Sequence, residues 1–447
     1  MDCPSEQASQ NQGWRVLIIG LAVLLAGWPV VRWMVSRGVD ESDEPLGLLA
    51  LVVALWFLIA GRRQVRVSVS SLVAALVVLA GCVRGLLPLP RLLQSAGLFL
   101  ALGFAFRLWR MSGVALLLLL SVPWVSSMQF YLGYPLRRWA GMCSAALLKV
   151  VGVDVSLQGT DLVYEGALVG VDPPCSGVRM LWFALFAAAV LSARFNLRMS
   201  RALALSGSAI VLVVFGNGLR AALLFFPESG LITLPDWAHE AAGLLVFALA
   251  IWPLFLMAHR WQRRECQDGN LVRLPTNQWI LGFVLVCVGV AGLGLVRESG
   301  AESVIEVEKP QVWPSTFDGV PVRPLRPGVR EEAFAANFPG QIGRFQMGED
   351  ELILRRVTRA TRLLHSSQDC LRAAGWLVER TGSMKDADGL SWVRFEARRE
   401  SAVVEVLEQI RDAKGGHTTD VSAWFWRALF HPKEGPWLAC TRFHVLR

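Results

Sequence analysis

The sequence has 447 residues, of which 54% are apolar and 18% are charged. This composition excludes an ordinary water-soluble protein and predicts an integral membrane protein. The formal net charge is +8. Because the basic residues gather in short loops between apolar runs, membrane topology explains this charge, and no nucleic-acid partner is expected.

The apolar runs predict about nine transmembrane helices. A backbone exposed to lipid must satisfy its own hydrogen bonds, and these runs are too continuous for barrel strands. The fourth and fifth runs are short enough to be tilted or partly re-entrant. The predicted spans lie near residues 16–34, 45–61, 68–87, 92–107, 112–128, 175–195, 203–226, 238–257 and 279–297.

The distribution of Lys and Arg predicts the orientation of these spans, since cytoplasmic loops are enriched in both residues. With nine alternating spans, all the basic loops fall on the cytoplasmic side together with the N-terminus. Residues 1–13 are polar and acidic, so we expect no cleaved signal and a first helix that stays as an anchor. The outer side then receives residues 129–174 and everything after Arg297. The basic loops are residues 62–66, 107–110, 194–201 and 259–264.

Two domains are predicted, a polytopic all-α membrane domain at 1–297 and a soluble α+β domain at 298–447. Within the soluble part, alternating apolar residues predict strands at 351–357, 390–398 and 437–445, and residues 405–413 favour a helix. The outer segment before residue 175 has its own pattern. It predicts an amphipathic interfacial helix at 130–153, followed by a short hairpin at 153–171.

A single cysteine, Cys175, stands where the sixth predicted span begins, after Pro173 and Pro174. A thiol becomes a good nucleophile as the thiolate, which a helix N-terminus or a nearby cation stabilises. Arg179 follows four residues later, on the same face of the predicted helix. It is equally compatible with snorkelling to a lipid phosphate.

Two later spans bring Arg220 and His239 to the same predicted outer boundary. An arginine within a membrane helix costs about 2.5–3.5 kcal/mol, so it requires a partner or a function. Asn217 lies three residues before Arg220 and shares its helix face. Snorkelling of Arg220 to headgroups, and a merely structural His239 at a helix start, remain alternatives. A thiol, a guanidinium and an imidazole at one boundary would suit cysteine acyl transfer.

The order Cys-Ser-Gly, then Asn-x-x-Arg, then a His opening the next span resembles the exosortase/archaeosortase family of membrane cysteine transpeptidases. The resemblance covers about residues 114–257. It implies Cys175 as the nucleophile, His239 as general base and acid, and Arg220 as the group that orients substrate or stabilises the oxyanion. Substrate-binding roles then fall to Arg179, Asn217 and Ser176.

The resemblance also implies a function, partners and a location. The enzyme would cleave a C-terminal sorting signal, made of a Pro-Glu-Pro type motif, a transmembrane helix and a basic tail, and pass the protein to an acceptor. Its partners would be membrane-anchored substrate proteins and the lipid bilayer, with a link to exopolysaccharide machinery. It would lie in the bacterial inner membrane, with the C-terminal domain in the periplasm. No cofactor is implied, and no metal-ligand spacing is visible.

The stretch from His365 to Trp376 resembles the His-Ser-Pro-x-x-Cys-x-x-x-x-Gly-Trp signature of the exosortase-associated periplasmic domain, with Ser367 in place of the proline. Cys370 within it is either a second reactive thiol or a disulfide partner of Cys440.

A different functional class also fits the membrane part. The protein could be a non-peptidase factor for polysaccharide export or lipid-linked sugar transfer, in which Arg179 and Arg220 bind the anionic sugar. In that case Cys175 would be incidental and its substitution tolerated.

Overall fold

A computed structural model describes most of the chain as helices and strands in two compact units. The first unit comprises Met1–Ser126, Arg179–Gly216 and Pro235–Glu302, and the second comprises Ser127–Val178, Asn217–Leu234 and Ser303–Arg447. The second unit therefore combines residues from both predicted domains. The described residues are 4–39, 45–60, 65–83, 89–158, 160–165, 167–169, 177–232, 235, 237–262, 275–297, 313–326, 335, 338–373, 375–386 and 389–446.

Apolar helices build the first unit, as the composition predicts. A break at Gly27, just before Pro29, bends the first pair of helices by 78° because proline cannot donate to the preceding turn. The helices before residue 126 are α1 (Pro4–Ala26), α2 (Trp28–Val39), α3 (Leu46–Ala60), α4 (Val69–Val78), α5 (Arg91–Ala105), α6 (Ser112–Leu120) and the start of α7 (Val125–Val150). After them come α8 (Val178–Arg194), α9 (Met199–Glu228), α10 (Trp237–Arg260) and α11 (Asn277–Arg297).

Small residues let these helices approach closely. A Cβ atom built on Gly113 of α6 would lie 2.2 Å from the backbone nitrogen of Ala193 in α8. The hydroxyl of neighbouring Ser112 donates to the carbonyl of Leu197 at 2.7 Å. Such small-residue crossings, with hydroxyls satisfying backbone carbonyls, are typical of helix packing in membranes.

The predicted count of nine spans is not confirmed. In the described part of the chain, Met199–Glu228 and Ala241–Arg260 are each long and apolar enough to cross a membrane, and the number reaches four if each of two bent helix pairs is one span. Four further apolar helices have 10–17 residues. At 1.5 Å per residue, a 15-residue helix such as α3 covers about 22 Å, less than a ~30 Å hydrocarbon core.

A helix and a small sheet form the first part of the second unit. The long helix predicted after residue 130 is present as α7, and the predicted hairpin is a three-stranded antiparallel sheet, β1 (Ser156–Gln158), β2 (Asp161–Tyr164) and β3 (Ala167–Val169). Leu148 of α7, Val155 just before β1 and Leu162 of β2 form a buried cluster with two residues near the end of α9, Ala222 and Phe225.

The C-terminal part of the second unit is built on an antiparallel sheet. Before this sheet, β4 (Thr316–Phe317) and β5 (Val320–Pro321) form a hairpin. The sheet strands are β6 (Arg323–Pro324), β7 (Gly340–Met347), β8 (Asp350–Val357), β9 (Leu377–Lys385), β10 (Ser391–Arg399), β11 (Ala402–Arg411), β12 (His417–Thr418) and β13 (Trp437–Val445). The described strands run in the order β6-β7-β8-β13-β11-β10-β9, and β12 pairs with β11.

The three predicted strands are confirmed as β8, β10 and β13, but the predicted helix at 405–413 is wrong. Residues 405–411 belong to β11, which pairs with β10 on one side and β13 on the other, and residues 412–413 follow its end. Val403, Val404 and Val406 favour a strand in this central position. Pairing on both edges of β11 outweighs the helix propensity of the Glu and Leu residues in the same strand.

Two helices cover one face of this sheet, α12 (Ser367–Ala373) and α13 (Val421–Phe430). Helix α13 also packs against α7. The indole nitrogen of Trp426 donates to the carbonyl of Tyr131 at 2.7 Å, and Arg137 forms an ion pair with Asp420. The side chains of Arg137 and Asp420 are only 9% and 17% exposed. The C-terminal sheet is thus joined to α7 through a largely buried contact.

Candidate active site

The predicted nucleophile and its neighbour, Cys175 and Ser176, lie outside the described residues. Description resumes at Gly177, which has a φ of +74° and comes directly before α8. A left-handed residue cannot continue a right-handed helix. Helix α8 therefore begins at Val178, three residues later than the sequence predicted.

Gly177 lies directly against Asn217 of α9. A Cβ atom at position 177 would lie 2.8 Å from Nδ2 and 2.9 Å from Cγ of Asn217. This approach, together with the left-handed backbone, explains why the position holds glycine. The first residue described after the Cys-Ser pair is thus in contact with the first residue of the Asn-x-x-Arg motif.

The Asn-x-x-Arg motif lies in the second half of α9. Asn217 is 4% exposed, and Arg220, one turn further on, is half-buried with its Nε atom out of contact with solvent. Both residues make polar or electrostatic interactions in the structure. An arginine here presents a permanent positive charge and planar donors suited to an oxyanion or a carboxylate.

Close packing against α7 holds this part of α9. A Cβ atom on Gly218 would lie 2.4 Å from the Cβ atom of Cys143 in α7, which requires glycine between Asn217 and Arg220. Two and five residues after Arg220, Ala222 and Phe225 are buried in a cluster with Leu162 of the three-stranded sheet. The helix turn that carries the motif is therefore fixed from two sides.

The two other predicted site residues belong to the first unit. Arg179 is exposed in the first turn of α8 and has an interaction partner. His239 is in the first turn of α10, as the sequence predicted for a helix start, and its side chain falls outside what the structure describes. Among the described residues, the structure brings Asn217 and Arg220 together with Gly177.

Sequence reasoning missed two residues of this site. Cys143 and Ala140 of α7 lie against Gly218, with the carbonyl oxygen of Ala140 3.4 Å from a Cβ atom built at that position. The sequence signal for these contacts was the pair of glycines, Gly216 and Gly218, on either side of Asn217. Such a pair indicates that another segment of the chain approaches closely, but it does not identify that segment. Within the described ranges, no group of three or more His, Cys, Asp or Glu could hold a metal ion.

The predicted disulfide alternative in the C-terminal domain is wrong, since Cys370 and Cys440 are both free. Cys440 packs with Leu354 on one face of the sheet. Its chain neighbour Thr441 points to the other face, towards Arg355, and α12 with Cys370 covers that face. Successive residues of a strand alternate between faces, so the sheet separates the two thiols.

Comparison with known proteins agrees with the motif order. The family described as transmembrane exosortase (Exosortase_EpsH) matches residues 5–256, more than half of the chain. This stretch contains Arg179, Asn217, Arg220 and His239. Neither the curated proteins nor the solved structures gave a match. The match to the family over this length, in a chain with apolar helices, shows that the protein belongs to the transmembrane exosortases.

Proposed function

We propose that this protein is a membrane cysteine transpeptidase that cleaves a C-terminal sorting signal and transfers the released acyl group to an acceptor. Family membership supports a sorting transpeptidase at the level of the family. The observation that carries the residue assignment is the contact between Gly177 and Asn217, one turn before Arg220. It joins two motifs that are 40 residues apart in the sequence.

Chain connectivity supports Cys175 as the nucleophile of this site. Cys175 precedes Gly177 by two residues, and two residues of extended chain span at most about 7 Å. A thiol tethered this closely to the Asn217 turn is within reach of a substrate carbonyl bound beside Arg220. Ser176, Asn217 and Arg179 are the proposed substrate-binding residues.

The proposed reaction has two steps. The Cys175 sulfur attacks the scissile carbonyl while its proton passes to His239, and Arg220 stabilises the negative charge on the carbonyl oxygen. Collapse breaks the C–N bond, the departing amine takes the proton from His239, and a thioester remains on Cys175. An acceptor nucleophile then attacks the thioester, and its proton returns the Cys175 thiol.

The substrate and location follow from the same proposal. The substrates would be membrane-anchored proteins with a Pro-Glu-Pro type motif, a transmembrane helix and a basic tail. The basic loops support an inner-membrane protein with a cytoplasmic N-terminus and a periplasmic C-terminal domain. A sorting signal of this kind would present its cleavage site near the outer surface, where the motif turn of α9 is proposed to lie.

The test is processing, in native membranes, of a reporter that carries the host's own C-terminal sorting signal. Cys175→Ser should abolish the cleaved product at matched expression. The control variant Cys82→Ser makes the same change outside the proposed site and should process normally. Arg220→Ala should reduce the cleavage rate about 100- to 1,000-fold, as expected for loss of an oxyanion donor.

Hydroxylamine provides a second measurement, since it attacks thioesters directly. Added to wild-type membranes, it should increase release of the cleaved reporter, and it should have no effect with Cys175→Ser. Unchanged processing by Cys175→Ser would remove the thiol from the chemistry. If Cys175→Ser were tolerated while Arg220→Ala still inactivated the protein, polysaccharide export or lipid-linked sugar transfer would become the better explanation.

A further inference from the structure

A second cysteine–histidine pair lies in the C-terminal domain, outside the stretch matched by the family. Nε2 of His365 lies 2.9 Å from Sγ of Cys370. Cys370 is exposed in α12, and His365 is half-buried two residues before that helix begins. This distance is within hydrogen-bonding range and places a base at the thiol.

A buried ion pair holds the segment that carries His365. Arg355 of β8 donates from Nη1 to the His365 carbonyl at 3.0 Å and lies 3.6 Å from the carboxylate of Glu408 in β11. The same carboxylate accepts from the Ser366 hydroxyl at 2.6 Å and from the Ser367 backbone N–H at 2.7 Å. Arg355 and Glu408 are 8% and 9% exposed. The turn from His365 into α12 is therefore fixed to the sheet.

The position of the proton follows from the surroundings of the pair. Burial and the nearby Arg355 lower the pKa of His365, against the opposing effects of Asp369, Glu408 and a hydrogen bond to the Leu363 backbone. Partial burial raises the pKa of Cys370, although the residue has a surface open to solvent. At neutral pH the resting pair is thus a thiol beside a neutral imidazole that can accept its proton.

We propose that Cys370 and His365 form a second nucleophilic site, which accepts an acyl group from an ester or thioester. The site has a nucleophile, a base in contact with it, and a clamp that fixes the base. The guanidinium of Arg355 does not supply an oxyanion donor to this site. Arg355 uses Nη1 on the His365 carbonyl and Nη2 on the Thr441 hydroxyl, and its Nε is buried. An activated carbonyl therefore suits this site better than an amide.

The proposed step transfers an acyl group from an oxygen or a sulfur atom of the donor to the Cys370 thiol. The Cys370 sulfur bonds to the carbonyl carbon while its proton moves to Nε2 of His365. The bond from that carbon to the leaving oxygen or sulfur breaks, and the leaving group takes the proton from His365. The products are an alcohol or a thiol and an S-acyl group on Cys370.

The experiment uses the full chain, purified in detergent, with Cys175→Ser in the background so that the family site cannot react. The probe is p-nitrophenyl acetate, and mass spectrometry locates the acetyl group. We expect a hydroxylamine-sensitive acetyl group on Cys370 but not on Cys440, because burial raises the pKa of the Cys440 thiol to about 12. His365→Gln should lower the acetylation rate about 100-fold or more. The matched control is His431→Gln, at an exposed histidine of the same domain.

The pH profile of the protein with an intact pair keeps the test decisive if His365→Gln fails to fold. The acetylation rate of Cys370 should be nearly constant at neutral pH and should fall on acidification with a midpoint below 6.5. A rate that keeps rising up to pH 9 and above would show an unassisted thiolate and overturn the proposal. Absence of acetyl-Cys370, or an unchanged rate in folded His365→Gln, would also overturn it.

Discussion

The proposed site on α9 and the Cys370–His365 pair hold their polar groups in different ways. On α9, glycines permit close approach: Gly177 contacts Asn217, and Gly218 contacts Cys143. In the C-terminal domain, two charged side chains fix the turn from His365 into α12. Arg355 donates to a backbone carbonyl of this turn, and Glu408 accepts from a hydroxyl and a backbone N–H.

This difference shows what each site should tolerate. A site held by backbone approach fails when atoms are added, since a close helix crossing has no space for them. A site that is fixed by a buried ion pair fails when one charge of the pair is removed, since the other charge is then buried without an ion-pair partner. Substitutions at the glycine contact and at the ion pair test this difference while leaving Cys175 and Cys370 unchanged.

The largest expected effect comes from Glu408→Gln, which keeps the volume of the side chain but removes its charge. Arg355 would then be a buried cation without its ion-pair partner, which typically costs about 3–5 kcal/mol. Hydrogen exchange at the amides of β8 and β11 in the full chain measures this loss. The control is Glu405→Gln on the same strand, whose partner Arg394 is 53% exposed, so its effect should not exceed about 1 kcal/mol. Equal effects of the two variants would contradict the proposed clamp.

Gly177→Ala tests the other kind of support. A left-handed backbone costs a non-glycine residue about 1–2 kcal/mol, and the added methyl would overlap Asn217 at a further cost of about 1–3 kcal/mol. We expect cleavage of the sorting-signal reporter to fall at least tenfold. Gly207→Ala on α9 is the control, because no atom lies within 4 Å of a Cβ atom there, and it should process normally. Normal processing by Gly177→Ala would show that the contact with Asn217 is not needed.

The sequence was sufficient to predict features whose cause is local. Apolar composition predicted the helical N-terminal region, and alternation predicted β8, β10 and β13. The motif order predicted the family, which the comparison confirmed. The helices and strands depend on residues close together in the chain, and the family depends on the order of short motifs along it. Both kinds of pattern are visible without any knowledge of tertiary contacts.

Features that depend on distant partners could not be predicted. Nothing near Glu408 in the sequence indicates that its carboxylate would bind a turn 41 residues away. The strand at β11 likewise results from pairing with β10 and β13, and local propensity predicted a helix there. Gly177 is visible in the sequence only as the glycine of the Cys-Ser-Gly motif, because its contact with Asn217 is set by packing against α9.

A smaller effect separates the two roles of Asp420, which pairs with Arg137 of α7 and caps α13. Its Oδ1 accepts from the backbone N–H of Ala423 at 3.0 Å. Asp420→Asn and Asp420→Ala both remove the charge that neutralises Arg137, but asparagine is still a good helix cap. We therefore expect the alanine variant to be less stable than the asparagine variant by about 1 kcal/mol. Hydrogen exchange at the first amides of α13 measures the difference, and identical protection would show that the cap contributes little.

The smallest expected effect is a pH dependence that His365 adds to the stability of the C-terminal domain. Because its pKa is lowered in the folded state, the unfolded chain binds a proton first when the pH falls below 6.5, and stability decreases until the folded pKa is reached. Asp369 acts in the opposite direction, since burial raises its pKa and stability decreases as pH rises above 3.8. The difference in unfolding free energy between wild type and His365→Gln, measured by hydrogen exchange from pH 4 to 8, isolates the histidine. It should change with pH only below about 6.5, in the direction of lower wild-type stability at acid pH. A difference that is constant over this range would mean that His365 keeps its ordinary pKa, and the neutral thiol–imidazole pair would have to be abandoned.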